Sequence, residues 1–292
     1  MNEKIQDTRK RKKFEELTIA DDFMFAKVML NEELCRRLLE MILSVKIQKI
    51  TYLQEQKTID NDYDAKSVRL DVYVDDEKGT VYDIEMQAGR KGNLPKRSRY
   101  YQGAVDLELL EKGTDYEGLP ESYIIFICTF DLFDAGRHIY TFKNICCEDK
   151  DVTLDDGTAK VFVNTKGSAR DISPELQDVL DYFNGLPARG GFARELEDEV
   201  WRVKQNKEWR REYMTLEMIK KEEFEEGMEI GLQRGLTEGQ EKGREEEKRY
   251  GIVNSIKLML SVGLAKEEAF AKVAAQYGMP EDEVRLIWEK AE

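Results

Sequence analysis

The apolar segment from residue 123 to residue 130 constrains the fold more than any other part of the sequence. Its side chains are apolar at both alternating sets of positions, which is typical of a strand buried on both faces in the middle of a sheet. A sheet with such a strand carries helices, so the segment predicts an α/β domain. The apolar run is much shorter than the roughly 18 to 20 residues that a membrane span requires.

Elements on either side of this strand are predicted to complete a mixed β-sheet flanked by helices. Helical spacing after a possible N-cap at Asn31 predicts a first helix. Alternating apolar residues predict strands, two of which form a hairpin around residues 75–79. In chain order, the elements are a helix at 31–43, strands at 47–53, 69–74 and 80–87, a helix at 96–113 closed by Gly113, the strand at 123–130, and short strands at 139–142 and 160–163.

Composition divides the chain into four predicted regions. A basic tail at 1–13 precedes the α/β domain at 14–190, and an all-α extension follows. The extension consists of a charged helical connector at 191–250 and a small helical tail at 251–292. The tail reads as three short helices broken at Gly263 and at residues 278–280. This pattern predicts a small helical bundle or docking tail. A helix-turn-helix is the alternative, although the segment lacks a clear basic recognition helix.

Glycine recurs at every fourth position of the connector, at residues 227, 231, 235, 239 and 243. Each glycine costs a helix about 1 kcal/mol relative to alanine, so the repeat requires a reason. Close approach of a second helix is one explanation, because small residues four apart allow backbones to touch. It favours a homodimer formed through the C-terminal helices. A flexible connector is the alternative, and both interpretations stay open.

Charge and residue usage exclude several classes of protein. The chain has 46 basic and 60 acidic residues, for a net charge of −14, which argues against binding of nucleic acid by global charge alone. A single histidine, His138, excludes sites built on paired imidazoles. Four cysteines without CxxC spacing and a start without an apolar leader favour a cytoplasmic protein. The basic run at 9–13 is a soluble tail or an arm that touches phosphates.

The predicted hairpin carries the chemistry. Asp71 on one arm lies opposite Glu85 on the other, or diagonal to it if the register shifts by two residues. Either register separates the two carboxylates by about 4.5 to 8 Å. Two such groups repel unless a cation bridges them, and a hard divalent ion prefers oxygen ligands, here with a backbone carbonyl near Met86 as a third donor. A solvated sheet face is the alternative explanation.

The residues after the hairpin favour the metal-site interpretation. No acidic residue occurs between Gln87 and Asp106, while the same segment contains five basic residues, at positions 90, 91, 96, 97 and 99. Tyr100, Tyr101 and Gln102 are interleaved with them. A metal site beside a basic, aromatic segment suits a phosphodiester, because the metal contacts one oxygen and the cations contact the backbone.

Four sequence pieces together resemble the PD-(D/E)xK nuclease superfamily, and within it the recombination-promoting nuclease, or putative transposase, family of bacteria. They are DFMF at 22–25 with Lys27, RLDV at 69–72, IEMQ at 84–87 and KRSRYYQ at 96–102. The resemblance covers roughly residues 15–190, and the glycine-rich helix is also similar to the variable C-terminal region of the family. It implies a restriction-endonuclease-like αβββαβ core.

Residue by residue, the resemblance implies that Asp71 and Glu85 bind the metal and that Gln87 stands where the superfamily usually has lysine. It implies a supporting acid at Asp22, which equally fits an N-cap. It also implies a helix that lines the site and holds substrate. The substrate-binding candidates are Arg97, Arg99, Tyr100 and Gln102.

The expected function is a DNA endonuclease that uses Mg²⁺, or Mn²⁺ or Ca²⁺, in recombination or mobile-element DNA. Gln87 can hydrogen-bond the attacking water or the scissile phosphate, but it supplies no positive charge. Two alternatives remain: a nuclease-fold protein that is catalytically weak or inactive and acts as an oligomeric binding module, and a DNA-binding regulator that acts through the C-terminal helices.

Overall fold

A computed structural model describes residues 12–59, 68–90, 93–110 and 115–291. The chain divides into two compact units, with the boundary between Met214 and Thr215. The first unit contains a mixed sheet and the helices that cover it, and the second unit is helical. The fold class predicted from the sequence is therefore confirmed.

Six strands form one sheet. They are β1 (Ile50–Ile59), β2 (Val68–Asp76), β3 (Val81–Gln87), β4 (Ser122–Cys128), β5 (Ile139–Phe142) and β6 (Thr158–Asn164). The strand order is β1-β2-β3-β4-β6-β5. Strands β1, β2 and β3 are antiparallel, β4 is parallel to β3 and β6, and β5 is antiparallel to β6. Strand β4 is central and almost completely buried, as its apolar sequence predicts.

Eight α-helices occur in the part of the chain that the structure describes. They are α1 (Asp22–Met29), α2 (Glu32–Leu43), α3 (Leu94–Leu109), α4 (Pro174–Phe183), α5 (Gly191–Gln205), α6 (Lys207–Ser261), α7 (Lys266–Tyr277) and α8 (Glu281–Glu289). Helix α2 begins where the side chain of Asn31 accepts the N–H of Leu34 at 3.3 Å, which confirms the predicted cap. Helix α3 lies on the sheet, where Tyr101 and Val105 pack with Phe126 in one buried cluster.

The first strand differs from its predicted position. It begins at Ile50, not at residue 47, and continues to Ile59. The N–H of Ile47 donates to Glu40, and those of Gln48 and Lys49 donate to the carboxylate of Glu77. Because these amides bond to side chains, the ladder with β2 starts at Ile50, and one backbone bond precedes it, from the N–H of Glu77 to the carbonyl of Lys49 at 3.1 Å.

The helix after the hairpin also has different ends. It begins at Leu94, two residues before the predicted start, with Pro95 in its first turn, where the missing N–H of proline costs nothing. It ends at Leu109, before the predicted cap at Gly113, which lies outside the described residues. The basic run at 9–13 is described only from Lys12, which forms an ion pair with Asp21 at 2.6 Å.

The C-terminal tail contains two separate helices and the end of a third. The predicted breaks at Gly263 and Gly278 are present, and both glycines have left-handed φ values, of 92° and 62°. No break occurs at Gly251, because α6 continues through it. A Cβ at this position would lie 2.7 Å from the Tyr277 hydroxyl oxygen, so the glycine makes room for a packed side chain. The predicted domain limits at residues 190 and 250 stay predictions.

The five periodic glycines all lie within α6. Their surroundings in one chain are open, since a Cβ added at any of them would meet nothing within 4 Å among the described residues. A close approach within the same chain therefore does not explain the repeat. Within the described ranges, no helix has both the length and the apolar character that a bilayer span requires.

A buried lysine ties the start of α6 to the sheet. Lys27 of α1 is 2% exposed and forms ion pairs with Glu55 of β1 and, at 2.7 Å, with Glu212 of α6. Its ammonium also lies 5.2 Å from the ring centre of Phe23 and 5.7 Å from that of Trp209. A buried charge is tolerated only when it is paired, so these contacts depend on one another.

Replacing Lys27 should therefore destabilise the fold strongly. Lys27→Met leaves the carboxylate of Glu55 without its cation, and we expect the free energy of unfolding to fall by about 3 kcal/mol. Urea denaturation checks this. The control is Arg202→Gln, which removes an exposed pair with Glu199 and should cost less than about 1 kcal/mol. Equal losses in the two variants would contradict the proposed importance of the buried pair.

Candidate functional site

Asp71 and Glu85 lie just beyond the last backbone pair of β2 and β3, where bonds between side chains and backbone replace the backbone ladder. The backbone pairs run from Asp75–Val81 to Val72–Ile84. At the next step, the N–H of Asp71 donates to Oε1 of Glu85 at 2.8 Å, and the N–H of Met86 donates to Oδ2 of Asp71 at 3.1 Å. Each carboxylate thus takes a backbone donor of the opposite strand. The structure brings the two predicted acids together and fixes both in place.

The backbone at Met86 also faces this point. The N–H and C=O of one residue in an extended strand point to the same side. Because the N–H of Met86 reaches Asp71, its carbonyl oxygen is directed toward β2 as well. This direction suits the third oxygen donor that the sequence predicts near Met86.

A third acid lies beside the pair. Asp83 is two residues before Glu85 on the same face of β3 and is completely buried. Neither of its carboxylate oxygens has a hydrogen-bond partner among the residues that the structure describes. Burial raises the pKa of Asp83 well above its usual range, and the charge of Asp71 raises it further. An uncharged carboxyl is the form that such an environment favours.

The same physics acts on the two predicted ligands. Burial, together with the negative charge of Asp22, raises the pKa of Asp71 to about 6. Glu85 is 1% exposed. Burial and the charges of Asp71 and Asp83 raise the pKa of Glu85 well above its usual value. Perturbed carboxyl pKa values of this kind are typical of functional sites.

Arg97 bonds directly to this cluster and compensates part of its negative charge. The guanidinium of Arg97 bonds to Oε2 of Glu85, to Oε1 of Gln87 at 3.0 Å and to the hydroxyl of Tyr101 at 2.7 Å. It also lies against two rings, with its central carbon 4.8 Å from the ring centre of Tyr101 and 5.3 Å from that of Phe126. Arg97 is therefore a member of the acidic site itself.

Gln87 is held at the end of β3. Its amide oxygen accepts from Arg97, and its amide nitrogen donates to the carbonyl of Gly89 at 2.8 Å. The side chain is buried, with 6% exposure. Both of its polar ends are engaged, so contact with water or phosphate would require one of these bonds to open.

Asp22 occupies the first residue of α1, and Asp21 is the N-cap position. The carboxylate of Asp22 accepts the N–H of Phe23 at 2.8 Å. Its charge acts on Asp71, which places Asp22 close to the pair. The location fits a supporting acid. Asp21 holds the N-cap position without a side-chain capping bond, because its carboxylate bonds to Lys12 and Thr18.

The other predicted substrate residues lie on α3 in different environments. Arg99 and Tyr100 are exposed. Gln102 is buried, and its amide nitrogen donates to Ser122 at 2.7 Å and to Asp106 at 2.9 Å. That side chain links α3 to β4, so its geometry favours a structural role over contact with substrate.

Two features were not predicted as part of the site. Asp83 had a visible signal, because strand alternation puts it on the face of Glu85. Nothing in the sequence indicated the unusual backbone of Gln56, whose φ of 51° is left-handed. Gln56 lies in β1 between the residues that pair as Glu55–Val72 and Lys57–Leu70. This position is next to Asp71 on β2, and strained residues often lie at functional sites.

The donor chemistry fits a hard divalent cation. Asp71, Glu85 and the Met86 carbonyl offer oxygen atoms only, the ligand type that Mg²⁺, Mn²⁺ and Ca²⁺ prefer. The arrangement is nevertheless closed by Arg97 on Glu85. Within the described part of the chain, no group of three or more His, Cys, Asp or Glu side chains is arranged to hold a metal ion. Asp71 and Glu85 are the residues that would hold one.

Comparison with known proteins identifies one family. A family model described as "PD-(D/E)XK nuclease family transposase" matches residues 20–166, which include Asp22, the hairpin and α3. No curated protein matches the chain, and no solved structure does.

The raised pKa of Asp71 predicts a stability change that depends on pH. Well below pH 4 the group is protonated in folded and unfolded chains. Between about pH 4 and pH 6 the unfolded chain ionises Asp71 while the folded chain keeps the proton, so the free energy of unfolding falls across this interval. Asp71→Asn keeps the acceptor for Met86 and removes that charge. We expect it to raise the free energy of unfolding by about 1 to 3 kcal/mol at pH 8 and to change little at pH 4.

Urea denaturation of both proteins at the two pH values tests this expectation. Asp151→Asn, on an exposed loop, is the control and should change stability little at either pH. A loss of stability at pH 8 in Asp71→Asn would contradict the electrostatic explanation.

Proposed function

Because the chain belongs to the family described as PD-(D/E)XK nuclease family transposase, we propose that it is a metal-dependent endonuclease that hydrolyses phosphodiester bonds of DNA. The observation that supports this most is the mutual bonding of Asp71 and Glu85 across the β2–β3 hairpin. Two fixed carboxylates on neighbouring strands are suited to share one divalent ion.

Each residue of the site has a proposed role. Asp71 and Glu85 bind Mg²⁺, or Mn²⁺ or Ca²⁺ in its place, and the negative charge of Asp22 near Asp71 adds to the attraction of the site for that cation. A divalent ion, when bound, supplies Lewis-acid polarisation of the phosphate. Gln87 orients the attacking water or the scissile phosphate, once its bond to Arg97 or Gly89 has opened. Burial disfavours the charged form of Asp83 behind the pair.

The DNA is proposed to approach along the start of α3. This helix presents Lys96, Arg99 and Tyr100 at its surface in a chain whose net charge is −14. Cations there contact phosphates, and an exposed aromatic ring stacks on a base. Affinity for DNA should therefore depend steeply on salt. We place the activity in recombination or mobile-element DNA, in the bacterial cytoplasm.

A catalytically inactive binding module is the second candidate. The observation that favours it is the closed state of the site, in which Arg97 engages both Glu85 and Gln87. In this alternative, Arg97 is a permanent partner of the acids and the protein acts through its long helix.

Plasmid nicking distinguishes the two candidates. Wild-type protein with Mg²⁺ should nick supercoiled DNA, and Asp71→Asn and Glu85→Gln should each reduce the rate by at least about 100-fold, because either change removes a charged ligand from the shared ion. Asp151→Asn serves as the matched control and should retain the wild-type rate. Equal nicking by all four proteins would remove Asp71 and Glu85 from the mechanism.

We also propose that α6 mediates formation of a homodimer. The five glycines are exposed on one chain, and each costs about 1 kcal/mol relative to alanine, so a partner helix is a physical reason for keeping them. A flexible connector needs no partner and makes the opposite prediction for substitutions.

Gly231→Ala combined with Gly235→Ala tests the dimer. In a lone helix these changes should raise helix stability by about 1 kcal/mol each and leave the molecular mass unchanged. In a close-packed dimer the added methyl groups separate the backbones, so the variant should sediment as a monomer at concentrations where the wild type is a dimer. A chain truncated after Glu226 should also be monomeric. Monomers for all three proteins would refute the dimer.

A further inference from the structure

Arg97 holds the carboxylate oxygen that a shared ion would need. Oε1 of Glu85 accepts the N–H of Asp71, a bond that belongs to the hairpin itself. Oε2 is the other oxygen, and it accepts from Nη2 of Arg97. A divalent ion bound by Asp71 and Glu85 and a guanidinium bonded to the same Glu85 oxygen would place like charges side by side in a buried site.

Arg97 is more exposed than the acid to which it bonds. Its side chain is 26% exposed, whereas that of Glu85 is 1% exposed, so the guanidinium lies at the boundary between the acids and solvent. Its other polar contacts, to Gln87 and Tyr101, lie at the end of β3 and on its own helix. A long arginine side chain can turn outward from such a position without moving the backbone.

The side toward which Arg97 would turn is basic. Lys96 and Arg99 flank it on α3, and both are exposed. Between residues 88 and 105 the sequence has no acidic residue. A phosphate group that approaches this helix is an anion that suits the released guanidinium, because guanidinium binds phosphate with matched geometry.

We propose that Arg97 is an internal cation that occupies the acidic site in the metal-free protein and is exchanged for the divalent ion. Metal binding then releases Arg97 from Glu85, and the freed guanidinium contacts a phosphate of the substrate. Arg97 is thus a positioning residue that couples loading of the ion to binding of DNA. This inference rests on the proposed function, since it takes Asp71 and Glu85 as the ligands.

Removing the competitor should strengthen metal binding. Calorimetric titration of the full-length protein with Mn²⁺ in the absence of DNA should show an affinity about tenfold higher for Arg97→Gln than for the wild type. Arg97→Lys keeps the charge needed beside the buried acids but cannot bond to Glu85, Gln87 and Tyr101 together. It should bind Mn²⁺ about threefold more tightly than the wild type. Arg202→Gln, which removes the same charge elsewhere, should not differ from the wild type.

Binding of DNA should change in the opposite direction. With Ca²⁺ present, Arg97→Gln should bind a short duplex more weakly than the wild type, by about tenfold, although it holds the ion more tightly. A purely structural role of Arg97 would weaken both equilibria together. Tighter binding of Mn²⁺ together with weaker binding of DNA would therefore indicate exchange of Arg97 for the ion, and not general damage to the site.

The outcomes also separate this inference from the proposed function. If the wild type binds no Mn²⁺, both are refuted. If the wild type binds Mn²⁺, Asp71→Asn does not, and neither Arg97 variant binds it more tightly, the exchange is refuted and the metal site stands. If Arg97→Gln fails to fold, the affinity of Arg97→Lys for Mn²⁺ is the test: tighter binding than in the wild type supports the exchange, and equal or weaker binding refutes it.

Discussion

The burial of three carboxyl groups beside the guanidinium of Arg97 is the interaction on which the site depends. Asp71, Asp83 and Glu85 lie on two neighbouring strands, and burial raises the pKa of each. Such an arrangement is unfavourable for the metal-free chain, because charged carboxylates repel one another and lose their hydration. Arg97 reduces this cost through its bonds to Glu85 and Gln87, and the proposed divalent ion would reduce it further. The buried carboxyl groups that the proposed function requires therefore lower the stability of the metal-free fold.

The scaffold pays this cost through contacts elsewhere in the first unit. Strand β4 supplies a buried apolar centre, and α3 packs on it through Tyr101 and Val105. The same helix delivers Arg97 to Glu85, so packing and charge compensation come from one element. Lys27 fixes α1, which carries Asp22, against β1 and the start of α6. The acids are therefore held by rigid elements and not by loops.

Much of the fold and the central pair of the site could be predicted from the sequence. Strand alternation and a short turn determined that Asp71 faces Glu85, and the apolar strand determined the centre of the sheet. Side-chain hydrogen bonds follow no periodic pattern and could not be predicted. The carboxylate of Glu77, for example, accepts the N–H groups of residues 48 and 49, so the first strand begins later than its sequence pattern predicts. The contact of Arg97 with Glu85 also depends on how α3 packs on the sheet, which helical spacing does not specify. Gln102 shows the same limit, because its neighbours in sequence suggested a substrate role and its packing against β4 gave it a different partner.

The most direct test of the central claim is a crystal structure of the protein soaked in Mn²⁺, with anomalous diffraction used to locate the ion. We expect one Mn²⁺ peak within about 2.0 to 2.4 Å of carboxylate oxygens from both Asp71 and Glu85, with the Arg97 guanidinium displaced from Glu85. An empty site with Arg97 still bonded to Glu85 at millimolar Mn²⁺ would contradict it. So would an ion bound only at other carboxylates of this acidic chain.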